Sequence, residues 1–278
     1  MNRPPAISVC IPFYQGAAYV EETVGSILAQ TDSDWELVMT DDASTDGTAE
    51  VIEALMARVA DPRLRFYRNP ERLGMVGNWN KVIGLARGRY IKLVCGDDAL
   101  RPDCLERQAR MLDEHPSAAL VAASRQVVSA RGRPLFVRAC YKRSGLYPGR
   151  PAVRQGLLTG TNTIGDPVAV MFRAGLLQKT GLFEPSVVYC TDIDLWLRLL
   201  LHGDLYFINE PLAFYRIHQA STGKNLRSET VRDFLRVVDR IEAAGGPSFS
   251  RLQRRWIATQ SRIKNWLRHS VYVLLAQR

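Results

Sequence analysis

The feature that most constrains this chain is an alternation, through its first hundred residues, between short apolar runs and stretches with apolar residues at helical spacing. Ile7 to Phe13 (ISVCIPF) is an apolar run ending at turn-forming Tyr14-Gln15-Gly16, after which Val20, Val24, Ile27 and Leu28 recur with helix periodicity. Trp35 to Thr40 repeats the strand pattern and ends at Asp41-Asp42; Asp46-Gly47 then leads into a helix carrying Ala49, Ile52, Leu55 and Met56. Leu64 to Arg68 reads as a third strand, Met75 to Ala86 as a helix, and Tyr90 to Cys95 as a fourth strand ending at Gly96-Asp97-Asp98. Strands and helices alternating at this spacing require right-handed βαβ units, hence an α/β fold with a mostly parallel central sheet flanked by helices.

Downstream the pattern is more mixed. Pro102 to Asp113 predicts a helix, Ala118 to Val128 a strand, and Pro134 to Tyr147 a hairpin or loop. A loop and strand around Gly165-Asp166-Pro167 follow, then a helix from Thr191 to His202 and extended chain from Leu205 to Ile217. Beyond Leu226 the spacing is helical, with Phe234, Val238 and Ile241 on one face and Leu252, Trp256, Ile263, Leu267 and Leu274 on another. The 278 residues suffice for a full core, organised as an α/β unit over 1–225 and a helical C-terminal extension over 226–278.

Charge is unevenly placed. The extension holds eleven Lys and Arg against four Asp and Glu, seven of the formal +9, so the body is close to neutral. That disfavours a nucleic-acid-binding body and marks a basic appendage that meets something anionic. With Trp256 and Trp266 set among Arg251, Arg254, Arg255, Arg262, Lys264 and Arg268, an anionic membrane surface is one candidate partner; a merely solvated helical cap is the alternative. Apolar runs such as Val271 to Ala276 are too short to cross a bilayer, and the start of the chain has no signal-peptide apolar core. The five cysteines (Cys10, Cys95, Cys104, Cys140, Cys190) form no CxxC pair and read as reduced thiols. Together these features predict a cytoplasmic protein, peripheral at the inner face of the membrane if the tail binds there.

In an open parallel sheet, ligands sit beyond the carboxyl ends of the strands. Three strands deliver polar residues there: Tyr14, Asp41-Asp42 and Asp97-Asp98. Carboxylates gathered in one crevice repel each other unless a cation joins them, and oxygen ligands suit Mg²⁺ or Mn²⁺ completed by ligand phosphates. Either acidic pair alone reads as turn or cap residues; at matching strand ends they read as a site. The first βα turn, Phe13 to Ala18, lacks GxGxxG, and no GxxxxGK[ST] loop occurs, which disfavours a dinucleotide site and a P-loop.

Six stretches resemble family 2 inverting glycosyltransferases of GT-A fold: ISVCIPFYQGAAYVEETVGSILAQT, WELVMTDDASTDGT, ARGRYIKLVCGDDALRPDCL, NTIGDPVAVMFR, GLFEPSVVYCTDIDLWLRLL and EPLAFYRIHQASTG, together spanning residues 6–223. The resemblance implies a nucleotide-binding half over 1–100 and an acceptor half over 101–225. It implies that Pro12 and Tyr14 meet the nucleotide, the Tyr14 ring stacking on the base, and that Asp42, with Asp41 beside it, bonds the base. Asp97 is implied at the ribose, Asp98 and His218 at a Mg²⁺ or Mn²⁺ ion, and Asn80 facing the donor. Asn78 reads instead as a helix-surface or cap residue. Many relatives carry Asp where this chain has Cys95. Asp192 is the implied catalytic base, one residue after an N-capping Thr191 and therefore in a first helical turn, where the dipole favours its ionised form. Asp194 reads as a dipole-favoured residue of the same turn, Trp196, Leu199 and Leu200 as core, Arg216 as either a partner of the diphosphate or a surface residue, and Asp166 as either acceptor-facing or a turn before proline.

The expected reaction moves a sugar from a UDP-, dTDP- or GDP-linked donor to a hydroxyl of a glycan or polyprenyl-linked acceptor in cell-surface polysaccharide synthesis, with acceptor specificity in the loops from Tyr141 to Asp166. The rival readings are a non-catalytic sugar-nucleotide or glycan-binding protein on this scaffold, which would not need Asp192, and a nucleotidyltransferase, which would want a basic glycine-rich loop after the first strand.

Overall fold

The structure, a computed structural model, describes residues 3–218 and 227–275. Residues 219–223 of the family-like stretch and the boundary expected at 225–226 lie outside the described residues, as do the side chains of Arg268 and Leu274. The chain runs β1 (Ile7–Phe13), α1 (Val20–Leu28), β2 (Trp35–Asp41), α2 (Thr48–Val59), β3 (Leu64–Arg68), α3 (Gly74–Gly84), β4 (Tyr90–Leu93), β5 (Ala99–Leu100) and α4 (Cys104–Glu114). It continues through β6 (Ala118–Ser129), β7 (Pro134–Arg138), β8 (Gly145–Tyr147), α5 (Gly149–Thr159), β9 (Val170–Arg173), α6 (Leu177–Thr180), α7 (Thr191–Leu200) and β10 (Asp204–Ile217), and ends in α8 (Arg227–Ala243) and α9 (Arg251–Leu275).

The strands form one sheet in the order β3-β2-β1-β4-β9-β6-β10-β5. The alternation of the first hundred residues becomes four parallel strands, β3, β2, β1 and β4, while β9 runs antiparallel between β4 and β6. β6 and β10 return to parallel pairing. Strands β1 and β2 are buried at every position, as expected of continuous apolar runs covered on both faces. The chain leaves β1 toward β2 and β3, then comes back to pair β4 with the other edge of β1. This reversal opens a crevice at the carboxyl ends of β1 and β4, where ligands of such sheets bind.

Two apolar layers cover the sheet. One packs α1, α2 and α4 through Val24, Ile52 and Leu105; the other packs α3, α5, α7 and α8 through Val82, Val153, Trp196 and Val238. Trp196, Leu199 and Leu200 lie in this core, as do Phe234, Val238 and Ile241. Two features depart from expectation. The segment between Tyr147 and Gly165, expected as loop, contains α5, whose two glycines and few apolar residues weaken the helical pattern. Pro134 to Tyr147 forms no hairpin of its own, because β7 pairs with β6 and β8 with β10. A third feature, which the sequence leaves open, is that the periodic apolar residues Leu252, Trp256, Ile263 and Leu267 of α9 face solvent, while Ile257 and Ser261 are buried.

Two charged groups inside the core are held by specific partners. Lys92 on β4 is wholly buried, donating to Gln108 Oε1 at 2.7 Å and to the Val168 carbonyl at 2.6 Å; burial holds its pKa below the usual lysine range. Asp194, expected as a simple first-turn residue, is also fully buried. It accepts from Arg198 Nη2 at 2.6 Å and from Arg240 Nε of α8 at 2.8 Å, tying the C-terminal helices to α7.

Candidate active site

The first wall of the crevice is built on β1 and β2. The register pairs Phe13 with Asp41 and Pro12 with Thr40, so Tyr14 and Asp42 leave the sheet side by side. Tyr14 is 43% exposed, with the Arg72 guanidinium 4.2 Å from its ring centroid. Its loop is held by the second half of the TDDASTDGT stretch. Gln15 N–H donates to Ser44 Oγ, Gly16 N–H to Thr48 Oγ1 and Ala17 N–H to Asp46 Oδ2. Ser44, Asp46 and Thr48 were missed from sequence because their partners lie about thirty residues away.

Within the acidic pair the carboxylates differ. Asp42 is spent on structure: it accepts from Asn69 Nδ2 at 2.9 Å, from Leu73 N–H at 2.7 Å and from Gly74 N–H at 2.9 Å, fixing the start of α3. Asp41 accepts from Ser44 N–H, while its buried Oδ1 has no protein donor. Asn78 is no surface residue, since it is buried and bridges Phe13 O and Asn69. The Asn80 amide, expected to face a donor, is engaged by the backbone of Phe183. Its Nδ2 donates to Phe183 O and its Oδ1 accepts from Phe183 N–H, both at 2.9 Å, splicing α3 to the segment before α7.

The second wall follows β4. Gly96 lets the strand end close onto β1, because a Cβ there would lie 2.5 Å from Phe13 Cδ1. Asp97 Oδ2 lies 2.8 Å from His218 Nε2, joining the β4 loop to the end of β10. Asp98 points inward: Oδ1 accepts from Arg216 N–H at 2.9 Å and its buried Oδ2 has no protein donor. Burial and the Asp97 carboxylate push the Asp98 pKa well above the usual range, against the opposing Arg216 N–H. Arg216 is not a surface residue; it is buried, donating to the carbonyls of Asp97, Ser129 and Ala130 and pairing with Glu22.

Ligand atoms of Cys95, Asp97 and Asp98 lie within 4.8 Å of one another. Two carboxylates, an orphaned buried oxygen on one of them, and an adjacent imidazole fit a divalent cation that prefers oxygen and nitrogen. The Cys95 thiol is pushed well up by burial and by the charges of Asp98, Asp97, Asp166 and Asp192, so it stands as a neutral group beside the Asp97 and Asp98 carboxylates.

A further group of polar residues is built around α7. Its N-cap falls at Cys190, and Thr191, expected as the cap, is the first helical residue with its side chain buried. Asp192 lies in the first turn, accepting from Asn162 Nδ2 at 2.9 Å and from Ile193 N–H at 2.8 Å. Asn162 also closes its own turn, accepting from Ile164 and Gly165 N–H and donating to Gly165 O. The next residue, Asp166, meets the wholly buried Arg125, whose Nε lies 2.5 Å from Asp166 Oδ2.

A mostly parallel sheet flanked by helices, with polar residues converging on the switch-point crevice, is the GT-A architecture of sugar-transferring enzymes. The chain belongs to glycosyl transferase family 2, whose model matches residues 8–181. It is similar to an uncharacterised protein of Mycobacterium tuberculosis, 37% identical over 83% of this chain and 73% of the relative. It is also similar to TuaG of Bacillus subtilis, a glycosyltransferase assigned to teichuronic acid biosynthesis, at 31% identity over 81% of this chain and 84% of that one. Among solved structures, residues 1–349 of TarS of S. aureus in complex with UDP superpose with a TM-score of 0.68 at 18% identity, covering 91% of this chain and 70% of that fragment. The mannosyltransferase PcManGT of Pyrobaculum calidifontis, in complex with GDP-Man and Mn²⁺, gives 0.63 at 17% identity over 98% of this chain and 74% of its own. At these identities the structural likeness is one of fold.

Proposed function

We propose that this glycosyltransferase moves a sugar from a nucleotide-diphosphate donor to a hydroxyl of a glycan or lipid-linked acceptor, with inversion, in cell-surface polysaccharide synthesis. The observation that carries the reading is the cluster at the carboxyl end of β4, where ligand atoms of Cys95, Asp97 and Asp98 lie within 4.8 Å of one another and His218 Nε2 lies 2.8 Å from Asp97 Oδ2. Tyr14 offers the base a ring face, and Asp42, with Asp41 beside it, supplies the carboxylate edge for the base. Asp97 takes the ribose side together with His218, and Asp97, Asp98 and His218 are the residues that would hold Mg²⁺ or Mn²⁺. That ion would supply charge neutralisation for the departing diphosphate. Asp192 removes the proton from the acceptor hydroxyl, which attacks the anomeric carbon from the side opposite the nucleotide.

Support for a metal comes from the donor set and from the Mn²⁺ in the PcManGT complex; support for a nucleotide-sugar comes from the UDP and GDP-Man complexes of fold neighbours. The test is transfer or slow hydrolysis of UDP-, dTDP- and GDP-sugars with Mn²⁺, Mg²⁺ or a chelator. Turnover that requires the cation and vanishes in Asp192→Asn supports the reading. Nucleotide-sugar binding with no turnover under any cation would convert the protein into a binding module.

A further inference from the structure

Helix α9 exposes an apolar face that the rest of the fold does not cover. Leu252 is 75% exposed and Trp256 and Trp266 are each 56% exposed, with Ile263 and Leu267 close behind. At 3.6 residues per turn these five side chains fall within an arc about 100° wide. The opposite side of the helix, at Ile257 and Ser261, is buried against the body. That attachment is close: Gly160, the left-handed C-cap of α5 at φ 67°, approaches so nearly that a Cβ would lie 2.5 Å from Ser261 N.

The border of the apolar arc is cationic. Arg251, Arg255 and Arg262 are exposed along one flank, and none has an acidic partner among the described residues. Arg254, turned toward the body, is instead neutralised by Asp239 and Glu242. From Arg251 to Leu275 the sequence contains no Asp or Glu. We infer that α9 lies flat in the interface of an anionic bilayer, its tryptophan face among the acyl chains and its arginines at the lipid phosphates. Charge decides between a membrane and a second copy of this chain, because a two-fold contact through α9 would set the same cations against themselves. No helix among the described residues is long and apolar enough to cross a membrane, so contact at the surface is the mode open to α9.

The placement bears on the acceptor, and in that respect it rests on the proposed function. A small cavity is bordered by Gly160, Asn162 and Ile193 on one side and by Ser261, Lys264 and Asn265 of α9 on the other. The docking helix therefore adjoins the turn that holds Asp192, and the acceptor mouth meets the bilayer, as a lipid-linked acceptor requires.

The experiment is flotation of the full chain with vesicles of phosphatidylcholine alone or mixed with phosphatidylglycerol, with tryptophan emission recorded in parallel. Binding to the anionic vesicles, a blue shift, and weakening by about tenfold or more in Trp256→Ser/Trp266→Ser and in Arg255→Glu/Arg262→Glu are expected. No binding, equal binding by both double variants, or a concentration-dependent dimer abolished by the tryptophan changes would overturn the inference. Binding is read without donor or acceptor, so Asp192→Asn should float like the parent. Loss of turnover in that variant with retained flotation separates failure of this inference from failure of the proposed reaction.

Discussion

Asn162 donates its side-chain N–H to Asp192 Oδ2 at 2.9 Å, across thirty residues of sequence, while its remaining polar contacts close the turn from 162 to 165. The amide has one rotamer in which all these bonds form, so the carboxylate is aimed by a rigid turn and not by its helix alone. Replacing Asp192 with Asn should lower turnover by about 10²–10⁴-fold, the range of a general base, with donor affinity by calorimetry unchanged. Asn162→Ala should lower kcat by roughly tenfold with the donor KM unchanged, through misplacement of the same carboxylate. A matched loss of donor binding in either variant would remove Asp192 from the role of base.

Asp97 and His218 meet at the open edge of the carboxylate wall, whereas Asp98 is turned inward. Asp97→Asn and His218→Ala should each weaken cation-dependent nucleotide binding by roughly 10–100-fold or more while leaving the cation-independent part intact. Titration calorimetry with nucleoside diphosphate, with and without Mn²⁺, measures the difference. Identical cation dependence in parent and variants would exclude these residues from the ion.

Glu36, on β2 opposite Ser8 of β1, is buried and bonded by Ser8, Arg65 and Arg87. Burial pushes its carboxyl up, but hydrogen bonds from Arg87, Ser8 and Arg65 outweigh that and hold it below the ordinary range. Since the folded pKa lies below the unfolded one of about 4.3, the unfolded chain takes the proton first as pH falls. The stabilisation is therefore complete above the unfolded value and is lost as pH drops through the folded one. Glu36→Gln should cost about 2–3 kcal/mol at neutral pH and flatten the acid limb of stability below the unfolded value in denaturant titrations. An unchanged acid limb would contradict this.

Asp194 joins α7 to α8 through Arg198 and Arg240. Asp194→Asn leaves two guanidinium groups facing a buried neutral amide and should destabilise by about 3–5 kcal/mol, the usual penalty for halving a buried pair. Arg240→Ala should cost less, because Arg198 remains. Thermal unfolding of both variants orders the two effects; equal losses would mean that Arg198 contributes little.

Much of the fold was legible because it is written in short-range periodicity. The period-two and period-3.6 runs located the first four strands and their helices, and the polar residues just beyond those strands located the crevice. α5 escaped because Gly149 and Gly156 break the helical composition, and because its contact with α7 and α9 stabilises what propensity alone does not. Asn162 escaped because asparagine before a turn is ordinary, and its partner is thirty residues on.

The sequence by itself determined that Asp41-Asp42 and Asp97-Asp98 close parallel strands and that α9 has two faces, since these follow from local spacing along one chain. Only the tertiary structure decided which carboxylate of each pair is engaged: Asp42 by Leu73 and Gly74, Asp98 by Arg216. It likewise turned the Asn80 amide to Phe183 and the tryptophan face of α9 to solvent. The physical reason is the same in each case. Periodicity states which side chains share a face, but the donors that satisfy a carboxylate, and the surface or solvent that a face meets, arrive from segments distant in sequence.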